Sequence, residues 1–434
     1  MNRRKMLAAL GGGLSAMAAE TQKRSDMRIL SRSPEDYEMP LEGFRDWITP
    51  IDRFFVRSHH YTPKVDLASW KLEIAGQVAT PVTLSMDDLR KMPSVEMVAV
   101  LECAGNSRGF FEPSMPGLQW GHGGVGNAKW RGVRLRDVLK RVGVKPEGKQ
   151  VLFDGADVPV GTQPEFQRTV RIDKAMDQNT LLAFDMNGEA LPVSHGFPLR
   201  LIVPGWAGDS WVKWIQKIEV LDHDFDGFFM KTGYRHPGKG VEPGKPVPPE
   251  QMRPVEEIQI KSVIAGVGPQ VIGAAWSGES PVLRVEVSTD RGRSWQIAKI
   301  TSQKTPFGWV TWSYDWTPPQ GYYQLMARAW DTKGRTQPFA QEWNPSGYQW
   351  NVVDSWTTSG PSATKHVEAP AAPASYKSAC LSCHTEEPIA NQRLSRAQWD
   401  AEIAKMERWG SKIPAEQRSA IVDYLFSRFP YVKR

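Results

Sequence analysis

The chain has 434 residues, too many for one ordinary hydrophobic core, so two or three domains are expected. Its net charge of +6 is spread along the sequence with no Lys/Arg block beyond the N-terminus; that argues against nucleic acid and leaves a small anion or an acidic protein as partner. Three cysteines cannot all pair, and 18 tryptophans beside 37 glycines and 33 prolines point to a loop-rich, strand-containing fold rather than a helical bundle.

The N-terminus reads as an export signal, drawn as residues 1–24. Asn2-Arg3-Arg4-Lys5-Met6-Leu7 is followed by a mild apolar stretch too short to span a bilayer, then by Ala16-Met17-Ala18 as a cleavage site. The paired arginines suit a twin-arginine signal, which exports proteins already folded; an ordinary secretory signal or a disordered basic tail is the plain alternative. No integral membrane segment is expected.

Residues 25–250 form the first domain, with its centre in a mixed α/β unit from about Asp46 to Asp222. Trp70 to Gly76 alternates like a half-buried strand, and Ser85-Met86-Asp87-Asp88-Leu89-Arg90 reads as a short capped helix. Val151-Leu152-Phe153 and Leu199 to Val203 are further strands. No Gly-rich phosphate loop follows any of them, which weakens nicotinamide and nucleoside triphosphate readings. Leu101-Glu102-Cys103-Ala104-Gly105-Asn106-Ser107-Arg108 holds the only cysteine before residue 380. An apolar run into a Gly-Asn turn ends a strand and presents the thiol, with Arg108 to supply positive charge. Such a thiolate is a soft ligand or a nucleophile. The plain reading is a buried cysteine packing as a small hydrophobe.

Residues 251–355 change texture to short strands with turns between them. Val282 to Ser288 alternates cleanly, Asp290-Arg291-Gly292-Arg293 is a hairpin turn, and Trp309 to Trp316 and Tyr322 to Trp330 continue the pattern. This predicts an Ig-like antiparallel β-sandwich with a structural or dimerising role. A linker rich in Ser, Thr, Ala and Pro follows at 356–375. The compact tail, 376–434, predicts a small all-α domain; in its last helix Ile421, Tyr424, Leu425 and Phe429 share one face. The overall class is α+β.

Cys380-Leu381-Ser382-Cys383-His384 has the spacing of c-type haem attachment. Both thiols can add to the haem vinyl groups while His384 ligates the iron. Met406, the one methionine of the tail, is the candidate sixth ligand, and His/Met ligation suits an electron acceptor. A structural zinc site would need further Cys or His ligands, which the tail lacks, and a redox dithiol would sit beside a βαβ pattern. Haem c is attached outside the bacterial cytoplasm, so the motif points to the periplasm independently of the signal.

Several separated stretches, in order, resemble the sulfite oxidase family of molybdopterin enzymes. They are Phe54-Phe55-Val56-Arg57-Ser58-His59, the Cys103 stretch, Gly117-Leu118-Gln119-Trp120, Phe153-Asp154-Gly155-Ala156-Asp157, His195 to Arg200, Val212-Lys213-Trp214, and Phe228 to Tyr234. The resemblance implies that Cys103 is the thiolate ligand of molybdenum, with Arg57 and Arg108 binding the substrate anion. It further implies that Trp120 lines the substrate pocket and Tyr234 hydrogen-bonds near the oxo group. His59, Asp157, His195, Arg200 and Lys213 would contact the pterin or its phosphate. Singly, each of these has a plain reading: a satisfied core histidine, a core tryptophan, an exposed charge.

Sulfite, the family's small dianion, would be held by arginine forks and oxidised to sulfate, with two electrons leaving singly. One departure concerns the substrate. In Trp343-Asn344-Pro345-Ser346-Gly347-Tyr348, Ser346 stands where sulfite-oxidising animal and plant members have an arginine. This stretch is similar to the sulfane dehydrogenase subunit of bacterial thiosulfate-oxidising systems. The C-terminal c-type domain also departs from the N-terminal b-type domain of animal members, and resembles bacterial sulfite dehydrogenases with the cytochrome subunit fused on. The leading expectation is a periplasmic sulfite dehydrogenase that reduces its own haem c and then a soluble cytochrome c, as a homodimer. Oxidation of a protein-bound sulfane, sulfoxide reduction, and a non-catalytic haem electron-transfer protein are the alternatives.

Overall fold

The computed structural model describes residues 22–316, 323–357, 371–390, 392 and 394–429. Among these residues the first unit is a mixed α+β fold rich in sheet. A small sheet of Arg28–Arg32, Glu35–Glu38 and Val56–Arg57 opens it. One five-stranded sheet is built on Ser94–Glu102, which pairs antiparallel with Val125–Arg134 from Ser94 opposite Val133 to Glu102 opposite Val125. That long register carries the chain straight to Cys103. The other five-stranded sheet contains the parallel pair Leu72–Gly76 and Ile215–Leu221, flanked by antiparallel neighbours. Helix Leu135–Val142 buries Leu135, Val138, Leu139 and Val142, the apolar face that a 3.6-residue period predicts, and Gly143 ends it in the left-handed region. Met86–Arg90 starts with a Ser85/Asp88 capping box, as its sequence leads one to expect.

The second unit consists of two four-stranded sheets packed face to face. One holds Lys261–Val267, Gln270–Trp276, Val310–Asp315 and Lys299–Ile300; the other holds Gln296–Ile297, Val282–Ser288, Gln324–Asp331 and Asp354–Thr357. Along Gln324–Asp331 every second residue is buried, the mark of a strand with one face on a core. Ile264, Val271, Val285, Val287 and Leu325 fill the space between the sheets. The last strand takes in Trp356 and Thr357, so the linker expected at 356–375 starts two residues later: Trp356 packs against the sandwich core. Residues 358–370 of that linker lie outside the described residues.

The tail has its own small core of Tyr376, Leu394, Trp399, Ile403, Ile421, Leu425 and Phe429, from helices including Arg396–Arg408 and Ala415–Arg428. It sits on the first unit through polar contacts. The Tyr61 hydroxyl donates to the Cys383 carbonyl (2.7 Å), Gln398 Nε2 donates to the Ser114 carbonyl (2.6 Å), and Arg32 pairs with Glu387 (3.0 Å).

The export signal drawn over residues 1–24 overreaches at its end. Lys23 Nζ donates to the Ile51 carbonyl (2.8 Å) and the Phe54 carbonyl (3.0 Å), and lies 2.8 Å from His195 Nε2. Acceptors of this kind satisfy a buried ammonium, so Lys23 belongs to the folded body. Residues 1–21, which carry the rest of the proposed signal, lie outside the described residues. Among the described residues no helix is long and apolar enough to cross a membrane.

Candidate active site

Cys103 follows the last residue of strand Ser94–Glu102 and is held on both sides. Its N–H donates to the Gly124 carbonyl (2.8 Å) and its carbonyl accepts from the Asn106 N–H (2.9 Å). The Asn106 side chain then donates to Glu102 (2.9 Å) and accepts from the Gly124 N–H (2.9 Å). The turn closes through Ser107 at φ 70°, a left-handed conformation unusual for a non-glycine residue. The result is a buried thiol fixed at a strand end. Burial pushes the Cys103 thiol up, and the nearby Arg57 and Arg108 pull the other way.

Cys103 shares one cavity with Arg57, His59, Asp157, His195, Arg200, Lys213 and Tyr234, so residues 177 positions apart in sequence are brought together. Three donors grip successive carbonyls of the Val193–His195 turn. Trp214 Nε1 takes Val193 (2.7 Å), Lys213 Nζ takes Ser194 (3.1 Å), and Arg200 Nη1 takes His195 (3.0 Å). Arg200 spends its other Nη on the Trp211 carbonyl (3.1 Å), and its Nε is buried without a partner. Burial lowers Arg200, and burial together with Arg200 pushes Lys213 down to about 7. Buried cations bonded to carbonyls and a hydroxyl make an anion-seeking pocket.

Arg57 is different, because it has a counter-ion. Its Nη1 donates to Asp36 (3.1 Å) and it also bonds the Ser58 carbonyl. Burial works against the charge, but Asp36, Tyr234 and Cys103 outweigh it and hold Arg57 above its ordinary value. Burial in turn pushes Asp36 up to about 6. His59 is held well below the usual histidine value by burial and by Arg57, and burial raises Tyr234 well above the usual phenol value. Both are therefore neutral near pH 7, and the Tyr234 hydroxyl pairs with His59 Nε2 at 2.7 Å as donor to a neutral imidazole. Tyr234 and Trp214 both sit at φ 53°, strain of about 1 kcal/mol or more each that the surrounding bonds sustain.

Two expected pocket residues stand elsewhere. Trp120 is only 1% exposed and meets Phe55 edge-on at 6.0 Å; it belongs to the core and not to the cavity wall around Cys103. Its bulk is better satisfied by apolar neighbours than by an anion's pocket. Arg108 lies beside the cavity, not on its wall, with its guanidinium 5.0 Å above the Tyr348 ring. A Cβ on Gly117 or Gly347, both at positive φ, would fall within 3.0 Å of Arg108, so the guanidinium is seated in a glycine cradle. Tyr348 stacks on Tyr234 at 5.5 Å, which links Arg108 to the pocket through two rings. The Ser346 hydroxyl donates to the Arg235 carbonyl (2.6 Å), and its own carbonyl accepts from Arg108 (3.3 Å).

A second cavity lies where the tail meets the first unit. Cys380, Cys383, His384 and Met406 line it together with Ile389, Trp399, Ile403, Ile413 and Leu425. Its far wall is Arg57-Ser58-His59, the same three residues that wall the Cys103 cavity. His384 Nδ1 lies 2.8 Å from the Thr385 carbonyl, which can only accept, so Nδ1 is the donor of that bond. Trp399 Nε1 is buried without a partner, and burial pushes the Cys380 thiol up to about 11. The lining suits a flat apolar group bearing a hydrogen-bond acceptor. Among the described residues no three His, Cys, Asp or Glu side chains converge on a point.

The sequence reading missed several residues. Arg168 and Asp209 form an ion pair at 2.5 Å with side chains 2% and 0% exposed, and Arg168 lies 5.4 Å from the Tyr234 ring centre. Asp209 and Phe166 line the Cys103 cavity, and Asp36 holds Arg57. Asp157, expected at the pterin, has its carboxylate 3.1 Å from His60 Nδ1. Two neighbouring histidines, His59 and His60, were the available signal.

With this geometry in place, the chain's likenesses are informative. Residues 59–229 match the oxidoreductase molybdopterin binding domain and residues 251–354 the Mo-co oxidoreductase dimerisation domain. These matches define a molybdopterin-binding oxidoreductase. The chain is 32% identical over 359 residues to sulfite oxidase of Gallus gallus, covering 76% of this chain and 77% of that protein. It is 32% identical to mitochondrial sulfite oxidase of Drosophila melanogaster and 34% identical to the NAD(P)H nitrate reductase of Hordeum vulgare, over 77% and 74% of this chain; it spans only 63% and 40% of those proteins. The sulfane dehydrogenase SoxCD of Paracoccus pantotrophus superposes with a TM-score of 0.67 at 28% identity, over 81% of this chain and 93% of that one. The chain belongs to the sulfite oxidase family.

The residues present fit the family's cofactor. The unpartnered Arg200 Nε and the Lys213 ammonium would answer an anionic, phosphate-bearing pterin, and Cys103 would offer a soft ligand for its metal.

Proposed function

We propose that the protein is an exported sulfite dehydrogenase whose own haem c takes the electrons and passes them to a soluble cytochrome c. The observation that carries this reading is the shared wall. Arg57-Ser58-His59 faces both the cavity of Cys103 and the cavity of the Cys380/Cys383/His384 motif, so electrons have a short exit within one chain.

In this reading sulfite gains an oxygen that derives from water and becomes sulfate, releasing two protons and two electrons. Cys103 and the pterin would hold the molybdenum, which would supply the oxygen-transfer and two-electron chemistry when bound. The chain's own residues do the rest. Arg57, kept charged by Asp36, and Arg108, reaching the pocket through Tyr348, attract the dianion. The neutral Tyr234 hydroxyl and the neutral His59 ring fix its orientation without adding charge. Arg200, Lys213 and His195 hold the cofactor's far end. In the tail, Cys380 and Cys383 would carry the haem and His384 and Met406 would hold its iron. The twin-arginine segment and the haem motif support a periplasmic location. The match of the second unit to a dimerisation domain supports a homodimer.

A second reading, oxidation of a protein-bound sulfane, is favoured by one observation. The Ser346 hydroxyl is tied to the Arg235 carbonyl and brings no cation to the pocket, and SoxCD resembles the chain over most of its length. Steady-state reduction of a soluble cytochrome c by sulfite, set against reduction by a persulfidated cysteine peptide, separates the two. A high kcat/KM for sulfite is expected; activity with the peptide alone would reverse the assignment.

A further inference from the structure

We propose that the second unit is the rear support of the Cys103 turn, and that Lys261 is a positioning residue for the thiolate, acting through Glu102. The Lys261 ammonium, at the start of the first strand of the sandwich, donates to Glu102 Oε1 at 2.7 Å, with side chains only 4% and 6% exposed. Trp276 Nε1, on the next strand, donates to the other oxygen at 2.8 Å. Asn106 Nδ2 completes the shell from within the turn at 2.9 Å. Glu102 is the residue before Cys103, and its carboxylate is thus anchored chiefly by a domain about 160 residues away in sequence.

Other contacts run the same way. The Val100 N–H donates to the Phe307 carbonyl (2.8 Å), and the Gln349 N–H donates to the Ala104 carbonyl (3.1 Å). The sandwich therefore bonds the backbone on both sides of Cys103 and the side chain in between. A small gap lined by Glu102, Cys103, Asn106, Lys261 and Gln349 lies at this junction, so the turn has room to shift once the grip is lost. A buried carboxylate with an ammonium and two neutral donors is fully satisfied; without the ammonium it is an uncompensated charge that pulls its neighbours out of place. The nearest neighbour is the thiolate.

This inference rests on Cys103 being the working thiolate, but its test does not need sulfite. In cofactor-free protein, alkylation of the Cys103 peptide followed by mass spectrometry should speed up by about tenfold in Lys261→Met, and Lys261→Arg should bring the rate back. In metal-loaded enzyme poised with the molybdenum half reduced, the paramagnetic resonance line shape of the molybdenum should change in Lys261→Met, with a lower kcat at nearly unchanged KM. Should Lys261→Met fail to fold, Lys261→Gln keeps a neutral donor beside Glu102 while removing the ammonium, and it is expected to show faster alkylation of the same sign and smaller size. A wild-type alkylation rate and line shape in these variants, with only a lower melting temperature, would reduce Lys261 to a structural role and overturn the proposal. An inactive wild-type enzyme would instead count against the sulfite reading and leave this one standing.

Discussion

The two cavities that share the Arg57–His59 wall are built on opposite physical plans. Around Cys103 the lining is rich in basic groups: Arg57, Arg200 and Lys213, most of them tied to carbonyls instead of carboxylates. Around Cys380 and Cys383 the tail contributes Ile389, Trp399, Ile403, Ile413 and Leu425, with one imidazole and one thioether facing the same space. The first plan suits an anion-bearing cofactor and an anionic substrate, whose charge repays the cost of burying cations. The second suits a flat apolar group whose redox potential rises with burial. The two environments meet at Arg57-Ser58-His59 without merging.

Each cavity can be disabled alone. Cys103→Ser should abolish sulfite-dependent activity and leave the haem absorbance spectrum intact; a change in that spectrum would show that the cavities are not independent. Met406→Ala should do the converse, altering the oxidised-haem spectrum and lowering the potential with molybdenum content unchanged, and an unaltered spectrum would move the sixth ligand elsewhere. Next in size is Arg168→Met, which leaves Asp209 buried without its ion-pair partner. It should cost about 3–5 kcal/mol in denaturant unfolding, and a loss under 1 kcal/mol would mean that the pair contributes little. Arg57→Met removes a charged donor from the shared wall and should raise the sulfite KM by about tenfold or more, corresponding to roughly 1.5–3 kcal/mol.

The smallest effect lies in pH. Lys213 is pushed down to about 7 in the fold and titrates in the ordinary lysine range when unfolded. Between those values the unfolded chain binds the extra proton, so cofactor-free protein should gain stability as pH rises above 7, by about 1 kcal/mol per pH unit from this group. Lys213→Met should flatten that rise, and a bound anionic cofactor should suppress it by restoring the charge. A cofactor-free stability curve that falls above pH 7 and is unchanged in Lys213→Met would show that the ammonium is not short of a counter-charge.

Much of the fold was legible because its signals are local. Val98 to Leu101 followed by a Gly-Asn turn announces a strand end, and the alternation of Val282 to Ser288 announces a one-sided strand. The helix with Ile421 and Leu425 on one face declares a small core, as found. What the sequence hides are pairings over long separations. Arg168 lies in a short strand whose polar residues look like surface, and nothing near it foretells Asp209, 41 residues on. Lys23 was lost among the basic residues of the leader, although its three acceptors fix it in the body. Trp120 was read by position within a motif, whereas its neighbours make it core. Trp356 followed the same rule in reverse, assigned to a polar linker by composition and held by the sandwich.

In the proposed function one chain takes electrons from sulfite and delivers them across the shared wall to its own haem. Anaerobic rapid mixing of the oxidised, purified protein with sulfite, followed by haem absorbance, tests it directly. Fast haem reduction at micromolar sulfite, at a rate independent of protein concentration, is the predicted result. No reduction in protein shown to contain both molybdenum and haem would contradict the account and turn attention to a sulfane substrate.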